Sequence, residues 1–560
     1  MKRTRYLLLL KAYKKIFSED QNKFVSFPRK RKSNVPASIE IPRVDSRQKC
    51  RYTASRSFMA IIDAGHWGMT FFLFCVPVMY FFLFPHVAFA QGYDDPLTFQ
   101  GVDHTVLQSA ASRAAGGTAI GLQNDVGLMF INPAVLMSLK NVQVSIGGLE
   151  QHTNTNQAQH YSPLKYYSNF SLLMEGLTGG IPNPSDTIIV TNPNAGDTVQ
   201  RPYDNIGPDW SHLKTKSLPV QIMIGIPFSI GEAKFVAGVG AVEYADLDHY
   251  YQNSNVLTPS IGNERPVPVA LPASDSAPFR TNWSSFLRTR SGAIQGYGAA
   301  LSLLLGGKIS LGASGLLLSG SSDDYEQHLG RGTLTFYRSY FRLDSVYDHV
   351  TKTGTSDYSG TEITLSGIYR GKYVSVGISA KPPTTITRKF NSIIKTDTTG
   401  YSSSSAVSGE DKMQLPWRGT AGISLAIARD VTLGLEYELR SYASAVYTDA
   451  SGNESNPWLT SSLFHVGAEY TPLPWLVLRV GVRQQAEVFE EAGNPLEGDP
   501  VSYSIYSLGC GVLYEGFHLN VTYEYSRMKY DDLWQTNVNL NSEIRNGLVA
   551  DIAYEIPSLW

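Results

Sequence analysis

The chain has 560 residues, too many for one ordinary globular core, so length leaves either several domains or one unusually large closed sheet. Tyr 32, Phe 24 and Gly 49 beside only 17% charged residues are a mixture of sheet and turn formers, which favours the sheet. The net charge of -2 hides a division: residues 1–56 hold 16 of the 47 Lys and Arg but 4 of the 49 acidic residues, whereas 91–560 carry 31 basic and 44 acidic groups, a formal -13, which excludes a basic nucleic-acid footprint from the main body.

Along the chain, the basic stretch 1–56 is too long for the positive region of an export signal. Trp67 to Phe84, WGMTFFLFCVPVMYFFLF, is 18 residues without a charge, followed by Pro85 and Ala88-Phe89-Ala90. An apolar core ending in an A-x-A tripeptide predicts a signal peptide over 57–90, cleaved after Ala90. A retained transmembrane helix is the alternative for a run at the short end of spanning length, and Pro77, which would kink it, argues against that. Translation from Met59 or Met69 would leave 1–56 out of the working protein; otherwise the stretch is a disordered extension. Of the cysteines, Cys50 and Cys75 would go with the leader, and Cys510 alone cannot staple an exported protein. Phe74, before Cys75, is too large for a lipoprotein cleavage site.

Beyond residue 140 strand-length segments are joined by connections that alternate in length. Tight turns are expected at Ile230 to Lys234, Gly306-Gly307, Arg370-Gly371-Lys372, Ala428-Arg429-Asp430, Pro472-Leu473-Pro474 and Glu515-Gly516. Long polar connections are expected at 151–217, 251–290, 323–357, 391–411, 449–460, 491–500 and 531–543. That rule is the signature of an up-and-down transmembrane barrel. Fourteen strands follow, near 142–150, 218–230, 234–250, 291–306, 307–322, 358–370, 372–390, 412–428, 430–448, 461–471, 474–490, 501–514, 516–530 and 544–556.

Alternation supports the count. Val431, Leu433, Leu435, Tyr437 and Leu439 interleave with Thr432, Gly434, Glu436, Glu438 and Arg440. No long amphipathic helix is visible in 141–560 to cover the apolar faces, so they must meet lipid and the polar faces a lumen. A soluble sandwich or propeller is the competing all-β reading. The ending IAYEIPSLW, with Ile552, Tyr554, Ile556 and Trp560 on one face, resembles the assembly signal of outer-membrane barrels, although Ser558 departs from the apolar series and Pro557 fits only near a strand end.

Motifs of chemistry are absent: no HExxH, GxxxxGK[ST], GxSxG or CxxC, and scattered histidines, so no catalytic residue, cofactor or metal site is expected. Asp323, Asp324 and Glu326 are acidic enough for a divalent ion but read more simply as a solvated loop tip. Residues 109–148 say more. They hold the small-residue stretch Ala114-Ala115-Gly116-Gly117-Thr118-Ala119, then Asn124-Asp125, then Phe130-Ile131-Asn132-Pro133-Ala134, just before the first strand. On these features the sequence resembles the FadL/TodX (OMPP1) family of outer-membrane transport proteins for long-chain fatty acids and aromatic hydrocarbons, over about residues 100–560. The resemblance implies an N-terminal segment folded inside the barrel as a hatch and ligand passing sideways through a gap in the wall. A related branch serves as a shuttle in a secretion system, so the resemblance bears on architecture more than on cargo.

A lumen of fourteen strands is too wide for its own side chains to fill, which independently calls for a plug. Small residues would let 91–140 pack closely, and Asn132, Pro133 and Ala134 would force an extended or turned backbone; an ordinary turn into strand one is the plainer alternative. Taking Val220, Ile222, Ile224 and Ile226 as lipid-facing, Gln221, Met223 and Gly225 point inward. Met223, Gly238, Gly240, Leu304 and Leu316 then form an apolar wall on strands two to five, either a ligand path with a bulge or opening at the two glycines or a surface packed on the hatch. Glu436, Glu438, Glu469, Arg479 and Arg483, with His465 and Glu524, form a polar wall that would hold the hatch.

The expectation is therefore an all-β, 14-stranded antiparallel transmembrane β-barrel (141–560) with an N-terminal plug (91–140), working in the bacterial outer membrane as a passive, non-enzymatic conduit. Its partners would be a hydrophobic small-molecule ligand, outer-membrane lipids and the barrel assembly machinery, with no nucleic acid, and it would be a monomer. The alternative is a surface-interaction or secretion-shuttle role through the long outer loops.

Overall fold

The structure, a computed structural model, describes residues 96–161, 210–259, 275–276, 279–337, 341–490, 500–534 and 537–557, apart from 106 and 123. The basic extension, the signal segment with Ala90, the 162–209 connection and Trp560 lie outside these residues.

The strands are β1 (Val142–Tyr161), β2 (Trp210–Ile230), β3 (Ala233–Asp246), β4 (His249–Pro259), β5 (Phe279–Leu305), β6 (Ile309–Phe336), β7 (Phe341–Arg370), β8 (Val374–Lys381), β9 (Thr384–Thr398) and β10 (Tyr401–Leu415). They continue as β11 (Arg418–Ala426), β12 (Val431–Arg440), β13 (Val446–Thr448), β14 (Glu454–Ser455), β15 (Ser461–Leu473), β16 (Leu476–Glu490), β17 (Pro500–Tyr514), β18 (Phe517–Trp534) and β19 (Asn537–Ile556). Three staves of the barrel are each made of two strands. Pro382-Pro383 separates β8 from β9 and Pro416 separates β10 from β11, where the missing amide donors interrupt the ladder. β3 bends into β4 at Leu247-Asp248, and β13 and β14 form a small flap on β10. Counted as staves, the wall is fourteen strands, all antiparallel. It closes where β1 pairs with β19 from Val142↔Ile556 to Tyr161↔Asn537.

The tight turns fall where the sequence places them. Glu515 and Gly516 take φ of 47° and 83°, the two left-handed residues a type I′ hairpin needs, so a β-branched residue at either place would be strained. The long connections are different. Much of 251–290, 323–357 and 391–411 is strand: β6 and β7 run 28 and 30 residues, and β9 turns into β10 within two residues around Gly400. Asp323, Asp324 and Glu326 lie on β6 rather than at a loop tip, and Asp324 is buried, accepting from Arg290 Nε (2.7 Å) and Nη2 (3.2 Å). Beyond the bilayer the outer face of a strand meets water instead of lipid and the inner face buries polar groups such as Ser322, Asp324 and Ser356, so apolar alternation lapses while the backbone ladder and the Thr, Ser and Tyr content sustain the sheet. A span of the membrane takes about 9–11 residues, so more than half of β6 projects outside it.

The outer face carries a belt of exposed apolar residues: Ile146, Ile222, Val239, Leu301, Leu317, Ile363, Ile378, Leu435, Val466, Val480, Leu508, Leu519 and Ile552. Toward the tight turns it is edged by exposed Phe228, Tyr373, Tyr470, Trp475, Tyr514 and Phe517, an aromatic girdle. Apolar outside and polar inside is the inverse of a soluble sheet and defines a transmembrane barrel. Val220 is a correction: it is buried with Leu149, Val549 and Ala110, because a register shift opposite Gly147/Gly148 puts it and Gln221 on the inner side together.

Candidate functional site: a plugged lumen with a seam in its wall

Residues 97–139 touch the inward side of all the staves and therefore fill the lumen. The polypeptide does this with little regular structure. Ser109 caps a single helical turn, α1 (Ala110–Ala114), by accepting from Ser112 N at 3.2 Å. Gly116 and Gly117 then turn the chain at φ 67° and 80°. The small-residue stretch lies backbone to backbone on the wall: a Cβ on Gly481 would sit 2.0 Å from Gly116 N, and one on Gly467 would sit 2.1 Å from Ala115 O.

Asn124 takes a left-handed φ of 59°, and Asp125 caps the following 3-10 turn (Val126–Leu128) through Gly127 N at 2.8 Å while accepting from Ser109 Oγ at 2.6 Å. Pro133 does not stop a helix. It occupies the first position of a 3-10 helix, Pro133–Ser138, where a missing N–H costs nothing. Asn132 ahead of it, at φ -145° and ψ 82°, lies outside the helical region, which a residue before proline avoids. Ser302 Oγ donates to Pro133 O (2.5 Å), Ala134 N donates to Ser366 Oγ (2.8 Å), and Gly312 leaves room, since a Cβ there would fall 2.4 Å from Ala134 N. The Asn-Pro-Ala block is thus a docking point on β5, β6 and β7.

Two walls hold the hatch by different means. On the polar wall Glu436 Oε1 accepts from Ala119 N (2.6 Å) and Ile120 N (2.8 Å), and Asp551 Oδ2 accepts from Ala110 N (2.7 Å). Glu524 receives Arg113 of the hatch (2.5 Å) and Arg483 of the wall. Arg479 links Glu469 (2.8 Å) to Asn520 (2.9 Å), bracing the wall rather than touching the hatch. Glu438 pairs with Arg440 at 2.7 Å. Sequence reading missed Asp551, and also Glu362, which gathers Tyr244, Lys381 and Arg418 within 2.6–2.8 Å. The alternation Glu362, Thr364, Ser366 on β7 is the signal that would have found the latter.

The apolar wall is contact surface. Met223 and Leu316, 0% and 2% exposed, pack in one cluster with Met129, Phe130 and Leu136 of the hatch. Leu304 shares the inward parity of Ser302 near the turn-side rim. A Cβ on Gly238 would meet Met129 Cε at 3.2 Å, and one on Gly240 would meet Met223 Cγ at 2.8 Å, so these glycines make room for methionines. Their ladder is unbroken on both sides, Gly238 with Gly225 and Ala300, Gly240 with Met223 and Gly298. The expected bulge on this stave lies higher, between Glu243 and Ala245, where Tyr244 reaches inward to Glu362.

There the wall changes. Among the described residues the β2–β3 ladder ends at Gln221↔Val242, while β2 runs on to Trp210 paired only with β1, and β4 pairs only with β5. The hatch supplies one isolated backbone bridge, Thr105↔Ala245. Otherwise side chains cross the seam: Lys216 to Glu243 (2.7 Å) and Asp246 (3.0 Å), Lys214 to Asp248 (2.5 Å), Trp210 Nε1 to Gln252 O (2.8 Å), and the His212 and Tyr250 rings stacked at 3.9 Å. Lys214, Lys216 and Asp248 also border a cavity of about 560 Å³ above the hatch, whose other lining is mixed: apolar Leu107, Leu149, Trp458 and Phe489 among charged groups. None of the five expected path residues lines it. His104 stands at its floor: burial would lower its pKa, but Asp103 and Glu487 outweigh that and raise it to about 9.

No protein-family model matches the chain, and no curated protein matches it. Solved structures do. A FadL homologue of Pseudomonas aeruginosa is 13% identical, with 80% of this chain and 98% of that chain covered at a TM-score of 0.48. The toluene transporter TbuX of Ralstonia pickettii is 14% identical, with the same coverage and a TM-score of 0.45. The P. putida toluene transporter TodX is 12% identical over 80% of this chain and 99% of that one, at 0.42. The chain is similar to these transporters; its barrel is established by its own ladder.

Proposed function

We propose that this barrel is a passive outer-membrane conduit for small hydrophobic molecules, which gather in the cavity above the hatch and leave sideways through the seam between β2 and β3/β4. The observation that carries the reading is the end of the ladder at Gln221↔Val242 beside that cavity. An apolar molecule gains nothing from a watery pore through the hatch, but a side exit that starts just beyond Ile222 and level with Tyr297, at the upper edge of the apolar belt, delivers it to the outer rim of the lipid. The seam replaces backbone bonds by ion pairs and ring contacts, which can part without unzipping a sheet. The proteins similar in structure include ones described as toluene transporters and a monoaromatic hydrocarbon channel, in keeping with this cargo class.

The test uses a Cys510→Ala background, because Cys510 is an exposed free thiol. Cysteines at Lys214 and Asp248 are joined by a cleavable bifunctional reagent in cells expressing the barrel. Uptake of a labelled fatty acid or aromatic hydrocarbon should stop on bridging and return on cleavage; uptake unchanged by bridging would overturn the lateral exit. The tall strands β6, β7, β9 and β10 favour a second reading, a surface-interaction or secretion role, since a conduit alone has less need of them. Deletion of the gene with equal uptake but altered secretion would select that reading.

A further inference from the structure

The sequence reading expected no metal, yet one cluster at the hatch–wall boundary has the make-up of a cation site. Asp103 and His104 of the hatch and Glu487 of β16 bring one carboxylate oxygen, one imidazole nitrogen and another carboxylate oxygen within 4.8 Å of one another. His104 Nε2 lies 2.7 Å from Glu487 Oε2 and 3.5 Å from Asp103 Oδ2. Both carboxylates are 3% exposed, and Asp103 Oδ2 and Glu487 Oε1 have no hydrogen-bond partner. A buried carboxylate oxygen without a donor is costly, and it marks a place where a positive charge is wanted.

We propose that Asp103, His104 and Glu487 bind a divalent first-row cation, with Zn²⁺ the best match to one imidazole and two carboxylates, and that the ion staples the hatch to the wall. Ligands about 2.0–2.2 Å from such an ion in tetrahedral geometry stand roughly 3.3 Å apart. The 3.5 Å separation already fits, and the 2.7 Å one opens by about 0.6 Å as the ion replaces the proton that His104 shares with Glu487. That proton leaves to solvent through the cavity, which all three residues line, so the ion keeps a fourth position open to it. Arg440 and Arg545 stand near enough to act on Asp103 and Glu487, but each is shared with a second carboxylate, Arg440 with Glu438 and Arg545 with Glu543, so they offset the two negative charges only in part. The staple would fix the 101–105 stretch of the hatch, the part that also bridges the seam through Thr105.

The experiment uses the full barrel in detergent after removal of ions with EDTA. Zn²⁺ titrated by calorimetry should bind with a stoichiometry of one. Co²⁺ in its place should give the visible absorption of a four-coordinate site. Asp103→Asn and Glu487→Gln, which keep side-chain size, should each weaken Zn²⁺ binding by more than about 10–100-fold, the cost of losing only a supporting group. His104→Gln should do the same, with heat-modifiable mobility on gels reporting that each variant is folded. Zn²⁺ should also raise the unfolding midpoint of the wild type and not of the variants. No binding, binding unchanged in Asp103→Asn and Glu487→Gln, or a midpoint that Zn²⁺ does not move would each overturn the proposal.

Discussion

The hatch meets two walls that hold it in opposite ways. Across β12 to β19, carboxylates aim at individual backbone amides and one arginine: Glu436 at Ala119 and Ile120, Asp551 at Ala110, Glu524 at Arg113. Across β2 to β7, Met223, Leu316 and Gly238 meet Met129 and Phe130 by shape, and the directional bonds come mainly from hydroxyls, such as Ser302 to Pro133 O and Thr364 to Phe130 O, with Arg290 reaching Thr98 O and no carboxylate aimed at a hatch amide among the described residues. Hydrogen bonds to ions fix a register, whereas methionines and leucines tolerate a shift of position. The carboxylate side is therefore the anchor, and the apolar side is the one that can give. The seam lies at the edge of the yielding wall.

Four single substitutions, one of them followed by a second-site change, test that contrast. Glu524→Gln leaves Arg113 and Arg483 buried without their counter-charge and should cost about 3–5 kcal/mol in urea unfolding of the detergent-solubilised barrel. Removing Arg113 in the same chain should recover part of the loss, and no recovery would mean that Glu524 serves the wall alone. Gly481→Ala drives a methyl into Gly116 N, and since neither backbone can step aside it should cost about 1–3 kcal/mol. It should also lift the hatch enough to raise ion conductance in planar bilayers. On the other wall Met223→Ala should cost about 2 kcal/mol, at the low end for deleting a buried methionine, with conductance unchanged because neighbouring side chains relax into the space. Smallest is Pro133→Ala: the Ser302 bond to the residue 133 carbonyl survives, so the barrel should stay closed and lose less than about 1 kcal/mol. A leaking Pro133→Ala barrel would show that the apolar wall is the anchor after all.

The sequence disclosed the parts of the fold that chemistry forces to be local. Gly306-Gly307 and Glu515-Gly516 announce their turns because left-handed φ restricts the residues allowed there, and the lipid belt announces its strands because lipid rejects polar atoms. Where neither constraint acts, reading failed. The upper halves of β6, β7 and β9 meet water outside and bury polar groups such as Asp324, Ser356 and Arg388 inside, so their polarity read as loop. In the site, Glu436 was legible as inward from alternation, but its amide partners at Ala119 and Ile120, 317 and 316 residues earlier, were not. Gly238 and Gly240 were legible as inward but not for their purpose, because space for Met129 and Met223 depends on residues far away in sequence. The end of the β2–β3 ladder and the meeting of His104 with Glu487 are likewise products of tertiary register, and no local pattern encodes them.

The pairing of β1 with β19 sets an order of events. The hatch lies immediately before β1, and its amide at Ala110 bonds to Asp551 on the last stave, while Asn124 and Asn141 both donate to Glu555. The final hairpin must therefore be in place before these contacts can form, and once the first and last staves zip together the hatch is enclosed by a continuous ring. Assembly has a last stitch, and it fastens the hatch and the wall in a single step.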